Sequence, residues 1–180
     1  LFRSSAASDV YKRQITCAAL KNAVDIAKKD IKKIKIVVNG AGASAMACTN
    51  LFKHTGVPQK NITMIDRKGV IYRGRDNLNQ WKSEHAIKTK NRTLDDAIKD
   101  ADVFLGLSSA GSLKKDMVKK MAKNPIIFAC ANPDPEITPE EVEEIRDDAI
   151  IATGRSDYPN QVNNPVSYTH LTLPTNGTGV

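Results

Sequence analysis

The chain reads as an α/β domain of the Rossmann type: a doubly wound, mostly parallel sheet with helices on both faces. Three observations predict it. Short, continuously apolar runs alternate with stretches of helical period, and runs without a polar face belong to strands covered on both sides. The run Lys35-Ile36-Val37-Val38-Asn39 passes directly into Gly40-Ala41-Gly42-Ala43-Ser44-Ala45, a strand, a glycine turn and the start of a helix. The next apolar run closes on an acid, Asp66, about twenty residues further on.

The elements follow in order. Leu20, Ala23, Val24, Ala27 and Ile31 recur at helical spacing, predicting an amphipathic helix from Ile15 through about Asp30. Residues 35–39 form the first strand, and 44–54 a helix that Gly56 is placed to end at C′ and that Pro58 prevents from resuming. The second strand is 61–66. Residues 67–75 read as a turn with a short hairpin-like excursion, and 78–87 as a polar helical stretch. Thr93 is placed to cap a short helix through Lys99, with Asp95 and Asp96 suited to its first turn. Three more strands, 102–108, 125–130 and 149–153, are separated by helices over 113–121 and 138–146.

Two glycines one residue apart allow a tight turn and close backbone approach to a pyrophosphate, while the helix behind them offers unpaired N–H groups and a positive dipole end. Ala45 fills the third place of GxGxxA, where a small residue lets helix and strand pack. Alone, such a turn is equally an ordinary feature of parallel sheets; Asp66, at the spacing of a ribose 2′-OH acceptor, turns the reading toward a dinucleotide site. The candidate cofactor residues are therefore Gly40, Ala41, Gly42, Ala43, Ser44, Ala45 and Asp66. An acid at that position repels a 2′-phosphate, so NAD is favoured over NADP, although Arg67 and Lys68 directly after it could pair with the 2′-phosphate of NADP. Ser108, Ser109 and Gly111 either line the same crevice or cap the helix that follows them.

With 180 residues, 41% hydrophobic and 26% charged, the chain suits one domain with one good core. The net charge of +7 raises the question of nucleic acid, but the lysines are scattered over polar faces and aromatics make up only 5% without interleaving among them. No nucleic-acid partner is expected. Cys17, Cys48 and Cys130 stand in apolar surroundings without CxxC spacing, as buried thiols of a reducing compartment do. No apolar run approaches the roughly eighteen residues of a membrane span, and no signal-peptide segment is visible, so no membrane partner and a cytoplasmic address are expected.

The ends differ from the middle. Residues 1–14 show neither a helical nor a strand period, and residues 167–180 contain no Asp, Glu, Lys or Arg. Both resemble translated sequencing-adapter read-through, which predicts a non-native segment 1–14, a domain over 15–166 and a non-native tail 167–180. Without the flanks 24 basic and 19 acidic residues remain, a net of +5.

The predicted carboxyl ends of the strands carry the chemistry. VVNGAGAS, DRKGVIYRGR, DVFLGLSSAG, PIIFACANPDPEITPEE and IIATGRSDYPNQVNN occur in that order over about 15–164. Together they make the core resemble the nicotinamide-binding domain of bacterial malic enzymes. That resemblance implies oxidative decarboxylation of (S)-malate to pyruvate and CO2, hydride transfer to NAD or NADP, a divalent metal (Mg or Mn) and a homo-oligomeric enzyme. It implies that Asn132, biased to an extended backbone by Pro133, contacts a cofactor ribose or a substrate carboxylate, and that at least one of Asn163 and Asn164 contacts malate. An amide suits the task because it donates and accepts without a charge. The family's tyrosine acid, lysine base and acidic metal ligands have no counterpart here. No catalytic residue or metal ligand is therefore assigned, and the chain is expected to be a truncated domain unable to decarboxylate malate. Arg155 with Asp157 is expected to form a structural ion pair. Asp134 and Glu136 are read as turn-forming and dipole-pairing acids, and His54 and His85 as structural. The alternatives are the cofactor domain of another amino-acid or hydroxy-acid dehydrogenase, or a non-catalytic nucleotide-binding module.

Overall fold

The computed structural model describes the backbone of residues 2–155 and 157–162, with side chains from residue 14 onward in those spans. Its sheet has six strands, β1 (Ile36–Asn39), β2 (Ile62–Asp66), β3 (Gly69–Val70), β4 (Val103–Gly106), β5 (Ile126–Ala129) and β6 (Ile150–Thr153), in the order β3-β2-β1-β4-β5-β6. All neighbours are parallel except the β2–β3 hairpin, where Ile65 faces Val70. Asn39 is in register with Ile65 and Gly106, Gly106 with Ala129, and Ala129 with Thr153, so the five parallel strands finish almost flush. Chain order reverses between β1 and β4. That is the switch point beyond which doubly wound sheets take their ligands.

Strand side chains alternate between two cores. Ile36, Val38, Leu105, Ile126 and Phe128 pack with Leu20, Val24, Cys48 and Phe52 from α1 (Phe2–Ile26) and α2 (Ala43–His54). On the opposite face Val37, Phe104 and Ile127 meet Ala97, Val118 and Val142 from α4 (Leu94–Ile98), α5 (Lys115–Lys119) and α6 (Pro139–Glu143). The remaining helix, α3 (Gln80–His85), runs into a smaller cluster of Met64, Ile71 and Ala86. Covering both faces explains why the strands lack a polar period. All three cysteines are buried and none is in a disulfide. Among the described residues no helix is long and apolar enough to cross a membrane.

Local signals decide where the helices stop. Gly56, at φ +106°, donates its N–H to Lys53 O at 3.1 Å, and Val57 donates to Phe52 O at 3.2 Å. This is a Schellman closure of α2, sealed by the burial of Phe52 and Val57 in one core. The five-residue helices α4 and α6 are each held by a reciprocal capping box, Thr93 with Asp96 and Thr138 with Glu141.

Three sequence expectations change. Helix α1 takes in residues 2–14 of the segment that lacked a readable period. No glycine or proline interrupts that segment, and a helix once nucleated propagates through such residues. It ends at Ile26 instead of near Asp30, where Lys28 enters the left-handed region at φ 53°. Helices α5 and α6 are shorter than 113–121 and 138–146, since Leu113 and Met121 reach the core from turns. The tail 167–180 lies outside the described residues.

One ion pair closes the far edge of the sheet. Arg146 donates to both Asp148 carboxylate oxygens at 2.7 Å and to the carbonyls of Val118, Met121 and Ala122 at 3.0–3.2 Å, while Asp148 also accepts from the Asn124 N–H at 2.7 Å. The Arg146 guanidinium holds the Asp148 carboxyl at about 2, below its ordinary 3.8. A depressed carboxyl stabilises the fold above its unfolded value and loses that contribution as pH falls toward its folded one. Asp148→Asn is expected to cost on the order of 1–2 kcal/mol at neutral pH. In urea unfolding the variant should lose stability less steeply than the parent between pH 3.8 and 2; parallel acid limbs would refute the assignment.

Candidate nucleotide-binding site

Beyond the strand ends lies a cleft of about 1060 Å³. Gly40, Ala41 and Gly42 line one wall, Asp66, Arg67 and Lys68 another, and Ser108 and Ser109 a third. Gly40 adopts φ +135°, and a Cβ there would lie 2.8 Å from the Leu107 carbonyl oxygen. Its N–H donates to Ile65 O, and Leu107 N–H donates to Asn39 O, both at 2.9 Å. Glycine is therefore required by conformation and by space. Gly42 is the extended N-cap of α2, whose N-terminus, carrying Ala43 and Ser44 in its first turn, has no side-chain cap. Ala45 is buried against the sheet, the packing role its size predicted.

Asp66 accepts four hydrogen bonds. Arg75 Nη2 donates to both its oxygens at 2.7 and 2.9 Å, Lys82 Nζ donates at 2.7 Å and the Lys68 N–H at 2.9 Å. Its side chain is only 9% exposed. Burial pushes its carboxyl up, but Lys82, Arg75 and the Lys68 amide outweigh burial and hold it below the ordinary carboxylate range. Two local structures deliver the cations. The β2–β3 hairpin turns Arg75 back, where it also donates to the carbonyls of Gly69 and Val70. Asn79 caps α3 by accepting the Lys82 N–H at 2.9 Å, which starts the helix with Lys82 in its first turn. A further cation, Arg92, stacks on Tyr72 at 3.7 Å. Among the residues lining the cleft, Arg67, Lys68, Arg75, Lys82 and Arg92 face the single carboxylate of Asp66.

The serine wall is held from β1. The buried Asn39 donates its amide to Ser108 Oγ and Ser112 Oγ, both at 2.9 Å. Helix capping by these serines does not occur, because α5 starts at Lys115 with Lys114 as its uncapped N-cap. Gly111 donates its N–H to Pro135 O and does not line the cleft. Glu136 departs from its reading as a dipole-pairing acid: it is 0% exposed and accepts from the N–H groups of Ser108 and Ala131. Helix α6 has its own capping box and leaves Glu136 free to turn inward. Asp134 is exposed, 3.5 Å from Arg155, and Arg155 pairs with Asp157 at 2.6 and 2.9 Å as expected.

Asn132 stands exposed just past β5, joined to Pro133 by a cis peptide bond, and is not among the residues lining the cleft. Asn163 and Asn164 lie outside the described residues. His54 pairs its Nδ1 with Asn50 O, and His85 is buried at the end of α3. Asn39, Arg75, Lys82 and Ser112 are site residues that the sequence reading missed. A polar residue closing an apolar strand was the available signal for Asn39. Arg75 and Lys82 carry no such signal, since only the hairpin and the α3 cap bring them to Asp66. Among the described residues no three His, Cys, Asp or Glu side chains converge as a metal site would need.

Residues 13–171 match the family model described as "Malic enzyme, NAD binding domain". An NADP-dependent malic enzyme of Rhizobium meliloti is 58% identical over 158 residues, 87% of this chain and 21% of that protein. The NAD-dependent malic enzyme of the same organism is 49% identical over 87% of this chain and 20% of its own length. The chain thus spans about a fifth of either relative's length. The crystal structure of the Entamoeba histolytica malic enzyme superposes with a TM-score of 0.80 at 37% identity, covering 88% of this chain and 34% of that one.

Gly40→Ala is expected to destabilise the fold by about 2–4 kcal/mol, since strain at positive φ adds to a clash with main chain that cannot swing away. Equilibrium urea unfolding measures this, and a loss no larger than that of Gly42→Ala, whose Cβ would meet nothing within 4 Å, would refute it.

Proposed function

This chain belongs to the malic enzyme family through its NAD-binding domain, and from that membership we propose that its cleft binds NADP in preference to NAD and presents the nicotinamide to malate for oxidative decarboxylation. The observation that carries the cofactor preference is the double pairing of Asp66. Read alone, that acid favours NAD by repelling a 2′-phosphate. With Arg75 and Lys82 on its oxygens its charge is already answered, and the surrounding Arg67, Lys68 and Arg92 leave the adenosine end of the cleft positive. The name of the relative at 58% identity agrees.

The bound cofactor supplies the hydride acceptor. The chain's own residues bind and orient it: the Gly40–Gly42 turn and the uncapped start of α2 receive the pyrophosphate, Lys82 and Arg67 the 2′-phosphate, and Ser108, fixed by Asn39, the far wall. Asn132 and the Asn163–Asn164 pair are assigned to substrate on the family pattern. The divalent metal of that reaction finds no donor cluster among the described residues. An NAD preference is the second reading, favoured by Asp66 itself.

Calorimetric titration of the chain with NADP and NAD tests the proposal. NADP is expected to bind roughly tenfold more tightly, the worth of a charge-assisted hydrogen bond, and Lys82→Ala to remove most of that margin. Tighter binding of NAD would overturn the preference while leaving the site. Failure of both to bind would overturn the site.

A further inference from the structure

Glu136 sits between Pro135 and the helix that Thr138 caps, yet its side chain turns away from solvent and is 0% exposed. One carboxylate oxygen accepts from the Ser108 N–H at 3.1 Å and the other from the Ala131 N–H at 3.0 Å. Its main-chain oxygen accepts from the Leu113 N–H at 3.2 Å, and the Pro135 oxygen from the Gly111 N–H at 3.1 Å. The carboxylate rests on Gly106, the last residue of β4, where a Cβ would lie 2.2 Å from Glu136 Cδ and 2.5 Å from each oxygen. No cation bonds it among the described residues, and burial pushes its carboxyl up against the opposing pull of the amides.

Such a group is costly to bury, and its two acceptor ends are its distinctive property. A glutamine of the same length would turn an N–H donor toward one of the two amides. The bonded amides belong to the two loops that matter beyond β1. Ser108 lines the cleft, and Ala131 immediately precedes Asn132. A dinucleotide laid across the switch point places its adenosine at the β2 side, by Asp66, and its other half at the β4–β5 side.

We propose that Glu136 is a positioning residue for the nicotinamide half of the site, its carboxylate fixing the spacing between the loop after β4 and Asn132. This rests on the cofactor reading above. The adenosine half at Asp66 does not depend on it.

The test compares NADP with 2′,5′-ADP, which carries the 2′-phosphate and adenosine but no nicotinamide, on the full chain and on Glu136→Gln. The substitution is expected to weaken NADP roughly tenfold, as for one lost hydrogen bond to a charged acceptor, and to leave 2′,5′-ADP unchanged. Equal losses for both ligands would make Glu136 a general packing residue, and no loss for either would make it dispensable; each result overturns the proposal. Should the variant fail to fold, amide exchange on the parent chain decides. NADP should slow exchange at Ser108 and Ala131 together and 2′,5′-ADP at neither, and protection of one amide without the other would overturn the role. If the parent binds neither ligand, the cofactor reading falls and this inference with it, whereas normal parent binding with an unmoved Glu136→Gln removes the inference alone.

Discussion

At the exits of β1 and β4 neighbouring groups lie so close that a Cβ on either closing glycine would collide with them. At Gly40 the obstacle is the Leu107 carbonyl, and at Gly106 it is the Glu136 carboxylate. The first approach follows from parallel strands ending in register at the point where chain order reverses, and the second from the segment after β5 turning its side chain inward. The glycine turn, the Asn39 bridge to two serines and the Glu136 bonds are all ways of finishing backbone and side-chain hydrogen bonding in a place with little room. Remove the close approach and the mouth of the cleft loses its shape before any ligand is considered.

Two acids show two solutions to one problem. Asp66 is nearly buried and held ionised by Arg75, Lys82 and an amide. Glu136 is fully buried and meets only amides. The first arrangement sets fixed basic side chains at the edge of the cleft, suited to a charged ligand. The second spends its acceptors on main chain and suits fixing one loop against another.

Much of this was legible in the sequence because it rests on local rules. Apolar runs without a polar period gave the buried parallel strands, Gly56 gave the end of α2, and Thr93 gave the cap of α4. The Gly40–Ala45 turn and Asp66 located the cleft. What escaped depends on pairs remote in the chain. Arg75 and Lys82 resemble any surface base until the hairpin and the Asn79 cap bring them to Asp66. Glu136 lies in a proline-punctuated stretch that looks like a turn, and nothing local says that its side chain points inward at Ser108, 28 positions away.

The cations on Asp66 come from separate, minor pieces of the fold. Lys82 stands on the six-residue helix α3, which contributes to neither main core. A change there costs the sheet little, so the electrostatic character of the cleft around Asp66 can drift by single substitutions while the scaffold stays constant. The fold thereby separates the packing it needs in order to exist from the side chains that set the charge at one end of its cleft.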